Sequence, residues 1–125
     1  MRVLLDTHTL LWWLNDDATL SQRAREIVAD GSNLVFLSAA VMWEIAIKRT
    51  LNKLTIPDRI YEVLDAQPFE SLDITTEHAR EVGNLPMHHR DPFDRMLIAQ
   101  ARIEGLTLMT RDAHLAKYEV SIIPA

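Results

Sequence analysis

Apolar residues recur along the chain in two rhythms, short unbroken runs and stretches spaced at three and four, and the two alternate. Val3-Leu4-Leu5, Leu34-Val35-Phe36-Leu37 and Leu106-Thr107-Leu108-Met109 are the clearest runs, the pattern of strands buried on both faces. Ser71-Leu72-Asp73-Ile74 and Val120-Ser121-Ile122-Ile123 read as weaker strands. Between them fall helices. Leu10 to Leu14 is a short apolar helix that closes over the sheet, and Asn15-Asp16-Asp17 is a turn. Ser21 caps a helix with Ala24, Ile27 and Val28 on one face and Gly31 as its stop. Ser38 caps the next, which carries Val41, Glu44, Ile45, Ile47 and Lys48. Leu51 to Pro57 is a polar loop, and Asp58 is placed to cap a helix burying Ile60, Val63 and Leu64. Thr75 or Thr76 caps a helix that ends near Gly83, before Pro86.

The most sharply bounded helix begins at Asp91-Pro92, an N-cap followed by proline at the first helical position. Phe93, Met96, Leu97 and Ala101 give it a buried face, and Gly105 ends it. Ala113 to Lys117 forms at most one helical turn. Strands alternating with helices predict one α/β domain over residues 1–125, with a mostly parallel sheet covered on both faces.

In such sheets ligands sit beyond the carboxyl ends of the strands. Asp6 directly follows the first strand and Asp112 lies just past Leu106–Met109, while Glu44 and Asp94 lie in helices that follow strands or loops. All four can reach one cleft. Each also has a bland role: Asp94 and Asp91 favour a helix N-terminus by roughly 0.3–1 kcal/mol each, and Glu44 can pair with Lys48 at i, i+4 for a few tenths. Yet the other same-face neighbours of Glu44 are Ala40, Val41 and Ile47, and a carboxylate on such a face needs a cation or a polar cleft. Asp91 either joins the site or only caps.

The net charge of -5 argues against a generic nucleic-acid binder, but divalent cations held by gathered acids would offset much of it. The chain has no cysteine, which excludes disulfides and thiolate metal sites. Asp6 cuts the first apolar run far short of a signal peptide or membrane span, so a soluble cytoplasmic protein is expected. Four acids in one cleft repel unless neutralised, and oxygen-only ligands favour Mg²⁺ or Mn²⁺ over zinc. Two such ions can activate water and stabilise a leaving oxygen in phosphodiester hydrolysis. Thr110 and Ser38 could orient a water or a carboxylate, or serve only as strand-end and cap hydroxyls. His88 and His89, beside Arg90, read as lining a phosphate path or facing solvent before they read as metal ligands.

Four short motifs in order, Leu4-Leu5-Asp6-Thr7-His8, Ser38 through Trp43-Glu44-Ile45, Asp91-Pro92-Phe93-Asp94-Arg95 through Ala101, and Thr110-Arg111-Asp112, resemble those of PIN domains. The resemblance is to the VapC-type toxin ribonucleases of type II toxin–antitoxin systems, and it covers nearly the whole chain. It implies a three-layer αβα sandwich, an RNA substrate and Mg²⁺ or Mn²⁺ held by Asp6, Glu44, Asp94 and Asp112 as catalytic residues. Thr110 would support them. It also implies a homodimer and inhibition by a small cognate antitoxin whose tail fills the active-site groove. Many relatives carry Asn after the last of these strands and another Asp three residues later; this chain has Asp112 and then Leu115, so Asp112 takes the fourth acidic role alone.

Three other readings fit less well. A haloacid-dehalogenase-type phosphatase needs an acid two residues after the first aspartate, where His8 stands. A phosphoacceptor receiver-like signalling domain needs a lysine after a late strand, and Lys117 is too far past Asp112. A catalytically silent PIN-like module for RNA or protein is at odds with four intact acids. Trp12, Trp13, Leu11 and Leu14 make more apolar surface than one thin helix easily buries, and part of it is expected to meet an antitoxin or a second protomer.

Overall fold

A computed structural model describes residues 1–54 and 56–125. Five strands form one all-parallel sheet in the order β3-β2-β1-β4-β5. They are β1 (Arg2–Leu5), β2 (Leu34–Ser38), β3 (Glu70–Leu72), β4 (Thr107–Thr110) and β5 (Ile122–Pro124). Six α-helices complete a three-layer α/β sandwich: α1 (Thr7–Leu14), α2 (Gln22–Ala29), α3 (Ala39–Thr50), α4 (Ile60–Asp65), α5 (Thr76–Asn84) and α6 (Pro92–Glu104). Leu115–Lys117 adds one 3₁₀ turn. The sheet is all-parallel where the pattern gave mostly parallel.

Why β1 and β4 are central is visible in their composition. Val3, Leu4, Leu5, Leu108 and Met109 are wholly buried, as an unbroken apolar run requires when both faces of a parallel strand are covered. Burying each such side chain stabilises the fold by about 1.5–3 kcal/mol. From β1 the chain winds outward through β2 to β3, then returns to lay β4 on the other side of β1. The order therefore reverses between β1 and β4, and a crevice opens beyond their carboxyl ends. Asp6 and Arg111 are the first residues past those ends.

α6 packs Leu97, Ile98, Ala99 and Ala101 into the core with almost no exposure. Two polar residues on α6 fix its neighbours. Gln100, fully buried, accepts from the Ser38 hydroxyl and donates to the Asp73 carbonyl at 3.3 Å. Arg95 donates at 3.0 Å to the carbonyls of Val82 and Pro86, so the segment after α5 is tied to the first turns of α6. His78 completes the capping box of α5 with Thr75 and meets Glu104 Oε1 at 2.9 Å.

Some expected boundaries move. The third strand is Glu70–Leu72, earlier than Ser71–Ile74, and the last is Ile122–Pro124. α2 ends at Ala29 with Asp30 as its cap, ahead of Gly31, and α5 continues through Gly83 to Asn84. Asp58 does not cap α4. The cap position is Arg59, without a side-chain bond, while Asp58 accepts from Arg49 at 2.7 Å. The helix starts at Ile60, one residue too late for Asp58 to occupy the cap position. Thr55, within the expected Leu51–Pro57 loop, lies outside the described residues.

Gly105 stops α6 in the left-handed conformation, φ 66° and ψ 40°, and a Cβ there would meet nothing within 4 Å. Backbone strain is then the whole effect of a side chain. Gly105→Ala should cost about 1–2 kcal/mol and Gly105→Asn less, read from urea denaturation midpoints. Equal costs for the two would show that the left-handed φ is not the determinant.

Candidate active site

Each acid past the sheet is held by a local device. Asp6 caps α1: its Oδ1 accepts the Thr9 N–H at 2.9 Å, and its Oδ2 accepts the Thr110 hydroxyl from the end of β4. The two strands at the reversal thus fix one carboxylate between them. Glu44, in the middle of α3, is only 4% exposed. Thr7, beside Asp6, donates its hydroxyl to Glu44 Oε1 at 2.6 Å, and Lys48 one turn on donates to Oε2. The i, i+4 pair expected on a surface is present, but it sits inside the cleft.

Asp91 caps α6, its Oδ1 accepting from Phe93 N and Asp94 N, each at 2.9 Å. That cap turns Asp94, in the first turn, toward the other acids. His89 Nε2 lies 3.0 Å from Asp94 Oδ2 and 3.3 Å from Asp112 Oδ2. Asp112 Oδ1 also accepts the His114 N–H at 2.9 Å. Asp6, Glu44, Asp91, Asp94 and Asp112 line one cleft of about 320 Å³, rimmed by His8, Trp12, Lys48 and Arg111.

The charges in this cleft are unequal. Burial, followed by the charges of Asp91, Asp6 and Glu44, pushes the Asp94 carboxyl up to about 7, and His89 offsets only part of this. A favourable helix-dipole position, worth at most about 1 kcal/mol, loses to carboxylates that repel by about 3 kcal/mol each at 5 Å and an effective dielectric of 20. Burial acts the same way on Asp112, but hydrogen bonds from His114 and the nearby His89 and His114 hold it below the usual carboxylate range. Lys48 is pulled down by burial yet held above its ordinary value by its bond to Glu44 and by the charges of Glu44, Asp91 and Asp94.

A divalent cation suits this donor set. His89, Asp94 and Asp112 present ligand atoms within 4.8 Å of one another, close to the separation of about 3–4 Å between ligands of one ion at 2.0–2.1 Å. Asp94 is the carboxylate with most to gain from positive charge. Ser38 takes no part, since its hydroxyl is spent on Gln100 and Ala40 N. His88 faces solvent, while His89 joins the acids, a place the sequence ranks behind a phosphate path or solvent. Lys48, expected as a surface partner of Glu44, stands in the cleft, and sequence reasoning missed Thr7 and Arg111 as site residues. The adjacency of Thr7 to Asp6 was the available signal for Thr7. Leu115 is wholly buried in the 3₁₀ turn, so the core claims that position.

Comparison with known proteins finds relatives over nearly the whole chain. The PIN domain family model matches residues 3–120. Ribonuclease VapC22 of Mycobacterium tuberculosis is 30% identical over 120 residues, 93% of this chain and 91% of the relative. Among solved structures, VapBC2 from Rickettsia felis bound to a promoter DNA fragment superposes with a TM-score of 0.75 at 17% identity, covering 99% of this chain and 98% of that one. DNA-bound VapBC from Salmonella typhimurium gives 0.73 at 20% identity, with coverage of 99% and 98%.

The raised Asp94 carboxyl fixes the sign of a pH effect. The folded protein holds this proton more tightly than the unfolded chain, whose carboxyl titrates near 3.8. Its contribution to stability is complete below that pH and is lost as pH rises toward about 7. In EDTA, Asp94→Asn should therefore melt close to the wild type at pH 4 and above it at pH 8, by up to a few kcal/mol. Thermal melts across that range check it; parallel pH curves would mean that Asp94 is only a helix cap.

Proposed function

The chain belongs to the PIN domain family, and on that premise we propose that it is a Mg²⁺- or Mn²⁺-dependent endoribonuclease, the toxin of a toxin–antitoxin pair. One observation carries the reading: Asp6, Glu44, Asp94 and Asp112, from four separate segments, line the same cleft at the reversal of strand order. The ribonuclease name of the mycobacterial relative supports RNA as the substrate, and the VapBC complexes of the same fold support an antitoxin partner. A receiver-like domain is disfavoured because its sheet runs 2-1-3-4-5, whereas this one runs 3-2-1-4-5.

Asp6, Glu44, Asp94 and Asp112 would hold the ion, with His89 beside Asp94 and Asp112. When bound, the divalent ion supplies an activated water and charge stabilisation at the leaving oxygen. The protein's own part is orientation. Thr110 and the Thr9 amide keep Asp6 in one rotamer, and Thr7 and Lys48 do the same for Glu44. Asp91 sets the first turn of α6 so that Asp94 faces them. An anionic RNA backbone enters such a cleft only when cations outweigh the acids, so the residues that bind metal also admit substrate.

The remaining elements of the reading are a cytoplasmic homodimer and an antitoxin-binding face. No described helix is long and apolar enough to cross a membrane. Leu11, Trp12, Trp13 and Leu14 are each half-buried, and Leu11 and Leu14 line an apolar groove of about 100 Å³ with Ile56, Ile60 and Val63. We assign this groove to the antitoxin.

Purified protein should cut RNA internally in Mg²⁺ or Mn²⁺ and stop in EDTA. Undiminished cleavage in EDTA, from a preparation free of contaminating nuclease, would sink the proposal. Mg²⁺ at a hundred times its dissociation constant should stabilise the wild type by about 2.7 kcal/mol. Asp94→Asn should shrink that gain and bring cleavage below detection. Leu14→Lys, with an unchanged melt, should weaken capture of the product of the neighbouring antitoxin gene tenfold or more; unchanged capture would remove the groove from the interface.

A further inference from the structure

Beyond the acids, the cleft has a rim whose geometry the nuclease reading does not use. His8 and Trp12 stand one turn apart on α1, and their ring centroids are 6.0 Å apart with the planes tilted by 35°. Arg111 comes from the other side of the reversal, directly between Thr110 and Asp112. Its guanidinium carbon lies 3.9 Å from the centre of the Trp12 ring. Its terminal nitrogens are engaged: Nη2 donates to the Thr19 carbonyl at 2.7 Å and the Ala125 carbonyl at 3.3 Å, and Nη1 to the Thr19 hydroxyl at 3.2 Å.

A guanidinium recognises phosphate through its edges and a nucleobase through its face. With Nη2, which both bidentate edges share, tied to two carbonyls, Arg111 is poorly placed as a bidentate phosphate clamp. One face covers indole, and the residue nonetheless remains exposed. What it offers is a rigid, cationic plane backed by an aromatic ring. Lys48, the other cation of the cleft, is likewise committed to Glu44. The rim therefore supplies a stacking surface rather than a second phosphate site.

We propose that Arg111, backed by Trp12, is a platform on which the base of a nucleotide next to the scissile phosphate stacks. Its place beside Asp112 sets the platform one residue from the acids. Bases within an A-form duplex already stack on one another and cannot be splayed onto a side chain without being unpaired. His8, exposed on the same rim, extends the aromatic edge along α1.

The proposal rests on the nuclease reading, and the test separates the two. Cleavage of an unstructured RNA oligonucleotide is measured beside copies carrying one abasic residue at successive positions around the cut. Stacking of one base is worth enough that removing it at the platform position should raise KM about tenfold with kcat changed less than twofold. Arg111→Lys, which keeps the charge and loses the plane, should raise KM about tenfold on the intact oligonucleotide. On the abasic one it should add little, because both changes remove the same contact. A duplex of the same sequence should be cut at least tenfold less efficiently. A wild type that cuts every abasic oligonucleotide with the intact KM overturns the platform alone, as does a full, additive loss in Arg111→Lys. A wild type that cuts none of these RNAs overturns the nuclease reading, and the platform with it. The abasic series needs no variant, so it decides the matter even if Arg111→Lys fails to fold.

Discussion

Like charges brought within a few ångströms of one another are the constraint around which the rest of this molecule is arranged. Asp94 faces Asp91, Asp6 and Glu44 from a partly buried position, and its carboxyl is held near neutral pH as a result. Such crowding survives only because each other acid is separately tied down. Asp6 has an amide and the Thr110 hydroxyl, Glu44 has Thr7 and Lys48, and Asp91 has two amides of its own helix. These bonds do two things at once: they offset desolvation, and they remove the rotamers by which the acids would otherwise turn apart. Asp94 is left with His89 as its hydrogen-bond partner among the described residues, against three neighbouring carboxylates. The site is therefore electrostatically incomplete at one defined carboxylate, which is the arrangement a bound cation would complete.

The sheet makes this crowding possible by geometry rather than by sequence proximity. Residues 6 and 112 are far apart in the chain, yet β1 and β4 are hydrogen-bonded neighbours, with Leu5 level with Met109. Parallel strands put all their carboxyl ends on one edge, and reversal of order leaves a gap there that no crossover covers. The buried apolar runs of β1 and β4 thus do more than fill the core. They set the separation of Asp6 and Asp112, and a slip in their pairing would move both.

Those runs are also the part of the fold most legible in the sequence. Val3-Leu4-Leu5 and Leu106–Met109 admit no other reading once the helical rhythm is seen on either side, and Asp91-Pro92 with Gly105 bounds α6 to the residue. Edge strands were harder. β3 and β5 are three residues each, half-exposed, and their pattern carries no strong period. The expected cap of α4 misses by one residue, because the helix starts at Ile60, and Asp58 pairs instead with Arg49, nine residues back and invisible to local pattern. In the cleft, the acids could be named from strand ends. The residues that hold them could not, because Thr7 meets Glu44, and Thr110 meets Asp6, across sequence separations of 37 and 104.

Where local rules are broken, the breaks fall around the cleft. A glutamate in the buried stripe of α3, an aspartate raised by burial and by its neighbours, a histidine between two carboxylates and an arginine stacked on tryptophan each run against the local preference of their element. Away from the cleft the chain is consistent: α2, α3 and α5 have side-chain caps, and the interior of the central strands is apolar. Even buried Arg95, which looks like a violation, is satisfied by carbonyls and serves the site indirectly. It fixes the backbone from Val82 to His89, and so fixes where His89 meets Asp94 and Asp112. A core of ordinary stability thereby holds a small region that is unfavourable when considered alone. That contrast, more than any single residue, separates a carboxylate that binds from one that merely caps.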